Sequence, residues 1–364
     1  MASRSAEIRD VRNALLRWYG RHQRKLPWRR TADPYAIWIS EVMLQQTQVQ
    51  TVIPYWRRFL ERFPDVRALA SASLPDVLAQ WSGLGYYSRA RALHRAAQII
   101  GAERGGKLPC TAQGLKTLPG FGRYTAGAVA SIAFGEPAPA VDGNVARVLS
   151  RAFLVDGVPG NLAREKSIWA LAEAMVQGER PGQLNQALME LGAVVCRRHS
   201  PSCLLCPIRS HCKALHLDRV AQIPPPRPRP VRTMLRFAVA VWRSKGRFLV
   251  ARRPDEGLFG GLWELPCAAL TSNAGFTTIQ SALRRLLGAT LRCHGLLKGI
   301  RQTLTHRELR LFPALVSGSS KPDSIDGYQE IRWVEGPRLA TLAMSSGMTQ
   351  VLRACAASSA NRAA

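Results

Sequence analysis

The chain has 364 residues, 46% of them apolar, which is enough for two domains that each bury a core. No window approaches the run of about eighteen apolar residues that a membrane span needs, and Met1–Asp10 lacks the charged-then-apolar layout of a secretory leader, so the sequence predicts a soluble, cytoplasmic protein with no membrane partner. A formal charge of +27 points to a polyanion, because counterions released from phosphates drive such binding; a codon bias toward arginine gives the same excess, so charge supports a nucleic-acid partner without deciding it.

From the start to about residue 220 the signals are helical, beginning with Ile8, Val11, Leu15 and Trp18 at three-to-four spacing, and an all-α domain over 1–220 is predicted. Asp33 is placed to cap a helix with Pro34 in its first turn. The segment that follows, on through Gln46 to Val49, is mostly apolar and carries one acid, Glu41. Set among Trp38, Val42 and Leu44, that carboxylate loses water, which raises its pKa toward neutrality and suits it to general-acid work. A solvated helix face is the alternative. Further on, Leu118-Pro119-Gly120-Phe121-Gly122 separates a helix capped by Thr111 from a second one over Arg123–Phe134 and reads as a helix-hairpin-helix. Its glycines permit the turn and let N–H groups at the next helix's start approach a phosphate; a purely structural turn has the same pattern. About twenty residues later Asp142, followed by Gly143 and Asn144, opens another helix, where it is either an N-cap or a reactive carboxylate.

Cys196, Cys203, Cys206 and Cys212 follow as C-x6-C-x2-C-x5-C, while Cys110, Cys267, Cys293 and Cys355 are scattered. Clustered thiols in a reducing compartment ask for a metal rather than a disulfide. Zinc and iron–sulfur clusters both take thiolates, and the presence of one C-x2-C pair instead of two favours a 4Fe-4S cluster. Because the cysteines lie at least fifty residues beyond Asp142, they are assigned a structural role, bracing Arg197, Arg198 and His199 against phosphate. The stretch 221–232 is rich in proline and arginine and predicts an extended linker. Beyond it, strands at Arg236–Trp242 and Arg247–Arg252 joined at Ser244-Lys245-Gly246, a helix over Thr277–Leu287, strands at Leu309–Val316 and Glu330–Val334, and a helix over Met344–Ala356 make an α+β domain at 233–356. The tail 357–364 is predicted to be disordered.

Hairpin, aspartate and four cysteines, in that order, resemble the endonuclease III-like helix-hairpin-helix superfamily of DNA glycosylases. Ser40-Glu41-Val42-Met43-Leu44-Gln45-Gln46-Thr47-Gln48, Gly83-Leu84-Gly85-Tyr86-Tyr87-Ser88-Arg89-Ala90 and Val141-Asp142-Gly143-Asn144 narrow this to a resemblance to the adenine DNA glycosylase (MutY) family. The resemblance implies flipping and hydrolytic removal of adenine paired with 8-oxoguanine or guanine in double-stranded DNA, by a protein expected to be monomeric. It implies that Glu41 protonates adenine at N7, that Asp142 stabilises the oxocarbenium-like sugar and that Asn144 positions Asp142. Gly120, Gly122 and Arg123 are the implied phosphate contacts; Gln46, on the Glu41 helix, and Tyr86 are the implied wedges in the vacated stack. The superfamily's lyase branch carries a lysine shortly after the hairpin, where this chain has Tyr124; a monofunctional hydrolase follows, with Tyr124 beside the flipped nucleotide. Gly260-Gly261-Leu262-Trp263-Glu264-Leu265-Pro266 resembles a Nudix fold, but Thr277–Arg285 lacks the glutamates that would hold Mg²⁺. The resemblance therefore implies a lesion-reading domain, with Leu304-Thr305-His306 as its sensing loop and Thr305 and His306 as DNA contacts. Two other readings stay open on the residues: a noncatalytic DNA-binding metalloprotein and a nucleotide-pool Nudix hydrolase.

Overall fold

The computed structural model describes residues 2–227, 231–272, 275–319 and 322–360. They fall into two compact units, Met1–Ser71 with Ala92–Pro228, and Ala72–Arg91 with Arg229–Ala364. The helices in chain order are α1 (Ala2–His22), α2 (Pro34–Leu44), α3 (Val49–Arg62), α4 (Val66–Ser71), α5 (Leu74–Trp81), α6 (Ser88–Glu103), α7 (Ala112–Lys116), α8 (Arg123–Phe134), α9 (Gly143–Phe153), α10 (Leu162–Val176), α11 (Pro181–Val194) and α12 (Lys213–His216). Among the described residues no helix is long and apolar enough to cross a membrane.

The first unit is built from amphipathic helices and one, α2, that is buried almost all round. In α9, Val145, Val148, Leu149 and Ala152 recur at helical spacing and pack with Leu15 of α1, Leu171 and Met175 of α10, and Leu184 and Leu188 of α11. By contrast, every residue of α2 from Tyr35 to Met43 is buried, as expected of a helix with no polar stripe. The start of the predicted linker docks on this unit: Ile223 is buried and its carbonyl accepts from Arg151 Nε at 2.7 Å. Residues 228–230 of that linker lie outside the described residues.

The second unit holds one eight-stranded sheet: β1 (Thr233–Ser244), β2 (Arg247–Arg252), β3 (Trp263–Glu264), β4 (Cys267–Leu270), β5 (Arg292–Leu296), β6 (Ile300–Thr303), β7 (Arg307–Ser317) and β8 (Glu330–Glu335). β1 and β2 form the predicted hairpin, with Ser244 opposite Arg247. β1 then runs parallel to β7 over ten residue pairs, from Thr233 opposite Arg307 to Trp242 opposite Val316. Alternate residues of β1 feed two cores, Ala238, Ala240 and Trp242 under α13 (Phe276–Leu287), and Val239 and Val241 under α14 (Ser346–Ala360). The strands that sequence periodicity misses, β3 to β6, have two to five residues, too short for a period-two signal.

Two expectations need correction. The tail is helical through Ala360 rather than disordered from residue 357, because α14 continues past Ala356 in a run of small helix-compatible residues; residues 361–364 lie outside the described residues. The segment 72–91 was expected inside the helical domain but groups with the second unit. Tyr86 Oη lies 2.9 Å from Thr305 Oγ1, Tyr87 Oη donates to the Met344 carbonyl at 2.7 Å, and Arg91 donates to the Gly260 carbonyl at 2.5 Å.

Candidate active site

Asp33 starts the site by capping α2: its carboxylate accepts from the N–H groups of Tyr35 and Ala36 and so holds the helix's first turn. Two turns on, Glu41 is only 6% exposed. This overturns the solvated-face alternative. Burial pushes its carboxyl up to about 7, the neighbouring Asp142 charge adds to the rise, and the Tyr124 hydrogen bond and Arg29 oppose it. Trp38 on the same helix stacks on Phe121 of the hairpin at 5.1 Å. Gln45 Nε2 donates to Thr125 Oγ1 at 2.9 Å, so α2 and α8 are joined at both ends of the site.

α8 carries the group that faces Glu41. Tyr124 Oη donates to Glu41 Oε2 at 2.7 Å and lies 3.5 Å from Met189 Sδ. Burial holds the phenol well above its usual pKa, so Tyr124 stays a neutral donor and leaves Glu41 Oε1 to carry a proton. In the hairpin, Gly120 sits at φ 80° against Ala92, whose Cβ would be 2.9 Å from an added one; only glycine fits. Gly122 has room around it and is the N-cap of α8. Arg123 lies 3.7 Å above the Trp169 ring, a cation–π contact that fixes its stem beside the exposed helix start.

Asp142 is both the cap and the candidate reactive carboxylate. Its Oδ1 accepts from Val145 N at 2.7 Å and its Oδ2 from Asn144 Nδ2 at 3.0 Å; burial pushes the carboxyl up, and these bonds work against that rise. Asn144 is held in turn: its Oδ1 accepts from Arg147 Nη2 at 2.8 Å, and Arg147 also donates to the Gly192 and Cys196 carbonyls, each at 2.8 Å. One turn along α9, Arg151 donates to Cys196 Sγ at 3.4 Å and to the Arg197 carbonyl at 2.8 Å. The cysteine segment, remote from Asp142 in sequence, is therefore wired to it through Arg147 and Asn144, while Arg151 one turn on holds the segment to α9. Close approach of α11 makes this possible. A Cβ on Gly192 would stand 2.6 Å from Asn144 Cβ and 3.0 Å from its Cα, so Gly192→Ala is expected to displace Asn144, destabilise the fold by about 1–3 kcal/mol and slow excision by about tenfold or more. Thermal melting beside single-turnover rates at a temperature where the variant is folded checks this; a lower Tm with an unchanged rate would leave Gly192 a packing residue only.

The four clustered cysteines line one small cavity, walled by Val195, Leu215 and Val220 with Arg151 and Arg209 at its side. Burial pushes the Cys206 thiol up to about 12. Arg197, Arg198 and His199 are exposed on the intervening loop.

Gln46 is placed differently from expectation. α2 ends at Leu44, and Gln46 follows in a turn at φ 57°, because the apolar helical pattern stops there and the chain turns before α3. In the second unit Tyr86 is 45% exposed at φ 51°, with the Arg89 guanidinium 5.4 Å from its ring. Thr305, its hydrogen-bond partner, and His306 form the exposed turn between β6 and β7.

Sequence reasoning missed Glu190. Its side chain is 1% exposed and accepts from Arg24 Nε at 2.8 Å and Arg29 Nη2 at 2.9 Å. Burial raises its carboxyl, but the two arginines outweigh that and leave it at about 2. Glu190 lies next to Met189, the sulfur neighbour of Tyr124, and Arg29 bears on Glu41. A lone Glu in an apolar helix, as at Glu41 itself, was the available signal.

A helical hairpin, a buried acid held by a tyrosine and a second carboxylate at a helix start thus lie in one helical unit. Residues 39–174 match the model of the HhH-GPD superfamily of base excision DNA repair proteins, and residues 237–354 match the NUDIX domain. The solved structure of a thermostable thymine-DNA glycosylase superposes with a TM-score of 0.54 at 29% identity, covering 58% of this chain and 98% of that one. Adenine DNA glycosylase of Homo sapiens is 36% identical over 96% of this chain and 74% of its own length. The Mus musculus enzyme is 40% identical over 73% of the chain, and the Arabidopsis thaliana enzyme 36% over 84%. The chain spans 62% and 55% of the length of these two relatives. It belongs to the adenine DNA glycosylase family.

Proposed function

We propose that this enzyme excises adenine paired with 8-oxoguanine or guanine in double-stranded DNA, acting as a monomer on DNA inside the cell. The observation that carries the reading is the buried Glu41, held at Oε2 by Tyr124 and raised toward neutrality beside Asp142. Adenine leaves poorly as an anion, so the ring must be protonated first; Glu41 Oε1 supplies that proton at N7 once the base has been flipped into the site. The C1′–N9 bond then breaks, its electron pair leaving with adenine. Positive charge develops on the deoxyribose, and Asp142, aimed by Val145 N–H and Asn144, stabilises it. Addition of water to C1′ completes hydrolysis and leaves an abasic site. Tyr124 is a neutral, buried phenol rather than an amine, so no Schiff base forms and strand cleavage is not part of the reaction.

Four thiols around one cavity suit a 4Fe-4S cluster held by Cys196, Cys203, Cys206 and Cys212. Four cysteine thiolates are the donor set such a cluster takes. Burial raises the Cys206 and Cys212 thiols, so their binding as thiolates calls for a cation beside them. When bound, the cluster cross-links the loop after α11 to the start of α12. Anaerobically purified protein is expected to be brown with iron and sulfide in equal amounts; a colourless zinc protein would overturn this.

Gly120, Gly122, Arg123 and the Arg197–His199 loop are the proposed phosphate contacts, Gln46 and Tyr86 the wedges, and Thr305 with His306 the lesion-reading contacts. Single-turnover excision on duplexes with adenine opposite 8-oxoguanine, guanine, cytosine and thymine tests the reading. The fastest rate is expected opposite 8-oxoguanine and the next opposite guanine; four equal rates would sink it. The same assay has a predicted pH profile. A general acid raised to about 7 is protonated below that pH, so the rate falls as pH rises through about 7, while protonation of Asp142 sets an acid limb. A rate still rising above pH 8 would exclude Glu41 as the acid.

A further inference from the structure

β8 pairs antiparallel with β2, from Arg247 opposite Glu335 to Arg252 opposite Glu330, and has no other strand neighbour among the described residues. An open groove touches four successive residues of β8, Arg332 to Glu335. Successive strand residues point to opposite faces. Here Trp333 packs edge-on to Trp242 in one core and Val334 packs against the other. A cavity in contact with both therefore runs along the strand's edge, where N–H and C=O groups stand in a row.

Arg247, Arg332, Arg338 and one carboxylate, Glu335, line this groove; Arg332 is held by an ion pair with Glu330 and lies 4.9 Å from the Trp263 ring, which leaves Arg247 and Arg338 as the groove's open cations. The Arg247–Glu335 pair is 3.5 Å apart with both side chains more than half exposed, a geometry that holds neither partner firmly. Arg338 has no ion pair among the described residues. Trp333 and Leu342 supply apolar floor. The groove also lies at the far end of the sheet from Thr305: that turn precedes the Thr233–Arg307 end of the β1–β7 ladder, and Arg247 follows the Trp242–Val316 end, nine residues or roughly 30 Å away. It is not part of the lesion-reading loop.

We propose that the β8 edge docks an extended acidic segment of a partner protein, which adds as a strand and sets its carboxylates against Arg247 and Arg338. A strand edge recognises a peptide through alternating main-chain donors and acceptors. A DNA backbone meets the arginines but leaves the edge unpaired. The inference is independent of the excision chemistry.

Fluorescence anisotropy with the full chain tests it, using a labelled peptide of about ten residues that alternates Glu and Val. Saturable binding is expected. It should weaken at least tenfold in the double variant Arg247→Glu, Arg338→Glu, and also when alternate valines of the peptide become proline, which cannot donate to the edge. Adenine excision by that variant should stay within twofold of the parent. Three outcomes would each overturn the proposal: no saturable binding by the parent protein, which makes the arginines guards of the edge; equal binding of the proline peptide, which leaves charge attraction alone; or a matching loss of affinity for duplex DNA, which assigns the face to phosphate.

Discussion

Glu41→Gln is expected to slow adenine excision by about a thousandfold, within the 10²–10⁴ that a positioned general acid contributes, while affinity for mismatched duplex changes little. Gln keeps the shape of Glu and an oxygen to accept from Tyr124 Oη, now 2.7 Å from Oε2, but has no acidic proton for N7. The same change bears on stability with a defined sign. A carboxyl raised from 4.5 to about 7 in the folded state contributes stability that is fully present below pH 4.5 and lost as pH rises through 7, which amounts to about 3 kcal/mol. Above pH 7 the parent carries a buried anion and the Gln variant does not. The variant's Tm should therefore equal or exceed the parent's at pH 8 while its excision rate collapses. A variant that excised adenine at the parent's rate would remove Glu41 from the mechanism.

Asp142→Asn is expected to cost about 10²–10³ in rate for a different reason, the loss of a negative charge facing a developing cation. Asn still offers an oxygen to Val145 N–H, 2.7 Å from Asp142 Oδ1, so the cap and α9 should persist. The discriminating measurement is affinity for a duplex carrying a cationic pyrrolidine in place of the target sugar. If Asp142 acts on the transition state, that affinity falls roughly in step with the rate, and affinity for a neutral abasic analogue does not. Equal losses for both analogues would make Asp142 a cap alone.

Much of this site is legible in one dimension because local signals coincide with it. Asp33 and Pro34 announce α2, and a single acid in an apolar helix announces Glu41, since burial on all sides needs an unbroken apolar pattern. Asp142 is legible for the opposite reason: residues at helix starts have unsatisfied N–H groups to bind, so a catalytic carboxylate there looks like any cap until its neighbours are known. Gln46 marks the limit of such reading. The resemblance names the residue and the apolar pattern stops near it, but the turn at Gln46, with its φ of 57°, follows from how the chain passes from α2 to α3.

The amino-acid sequence by itself determined the helical hairpin, the two carboxylates, the four-cysteine cluster and a second, α+β unit, because each rests on residue type and short-range spacing. Tertiary structure alone decided that the cysteine segment is tied to the helix that Asp142 caps. Residues 142 and 196 are far apart in the chain, yet Gly192 lets α11 approach α9 closely enough for Arg147 to join Asn144 to the Cys196 carbonyl, while Arg151 holds the sulfur. Hydrogen-bond partners at that separation are chosen by how helices pack, and packing is a property of the whole core rather than of any segment.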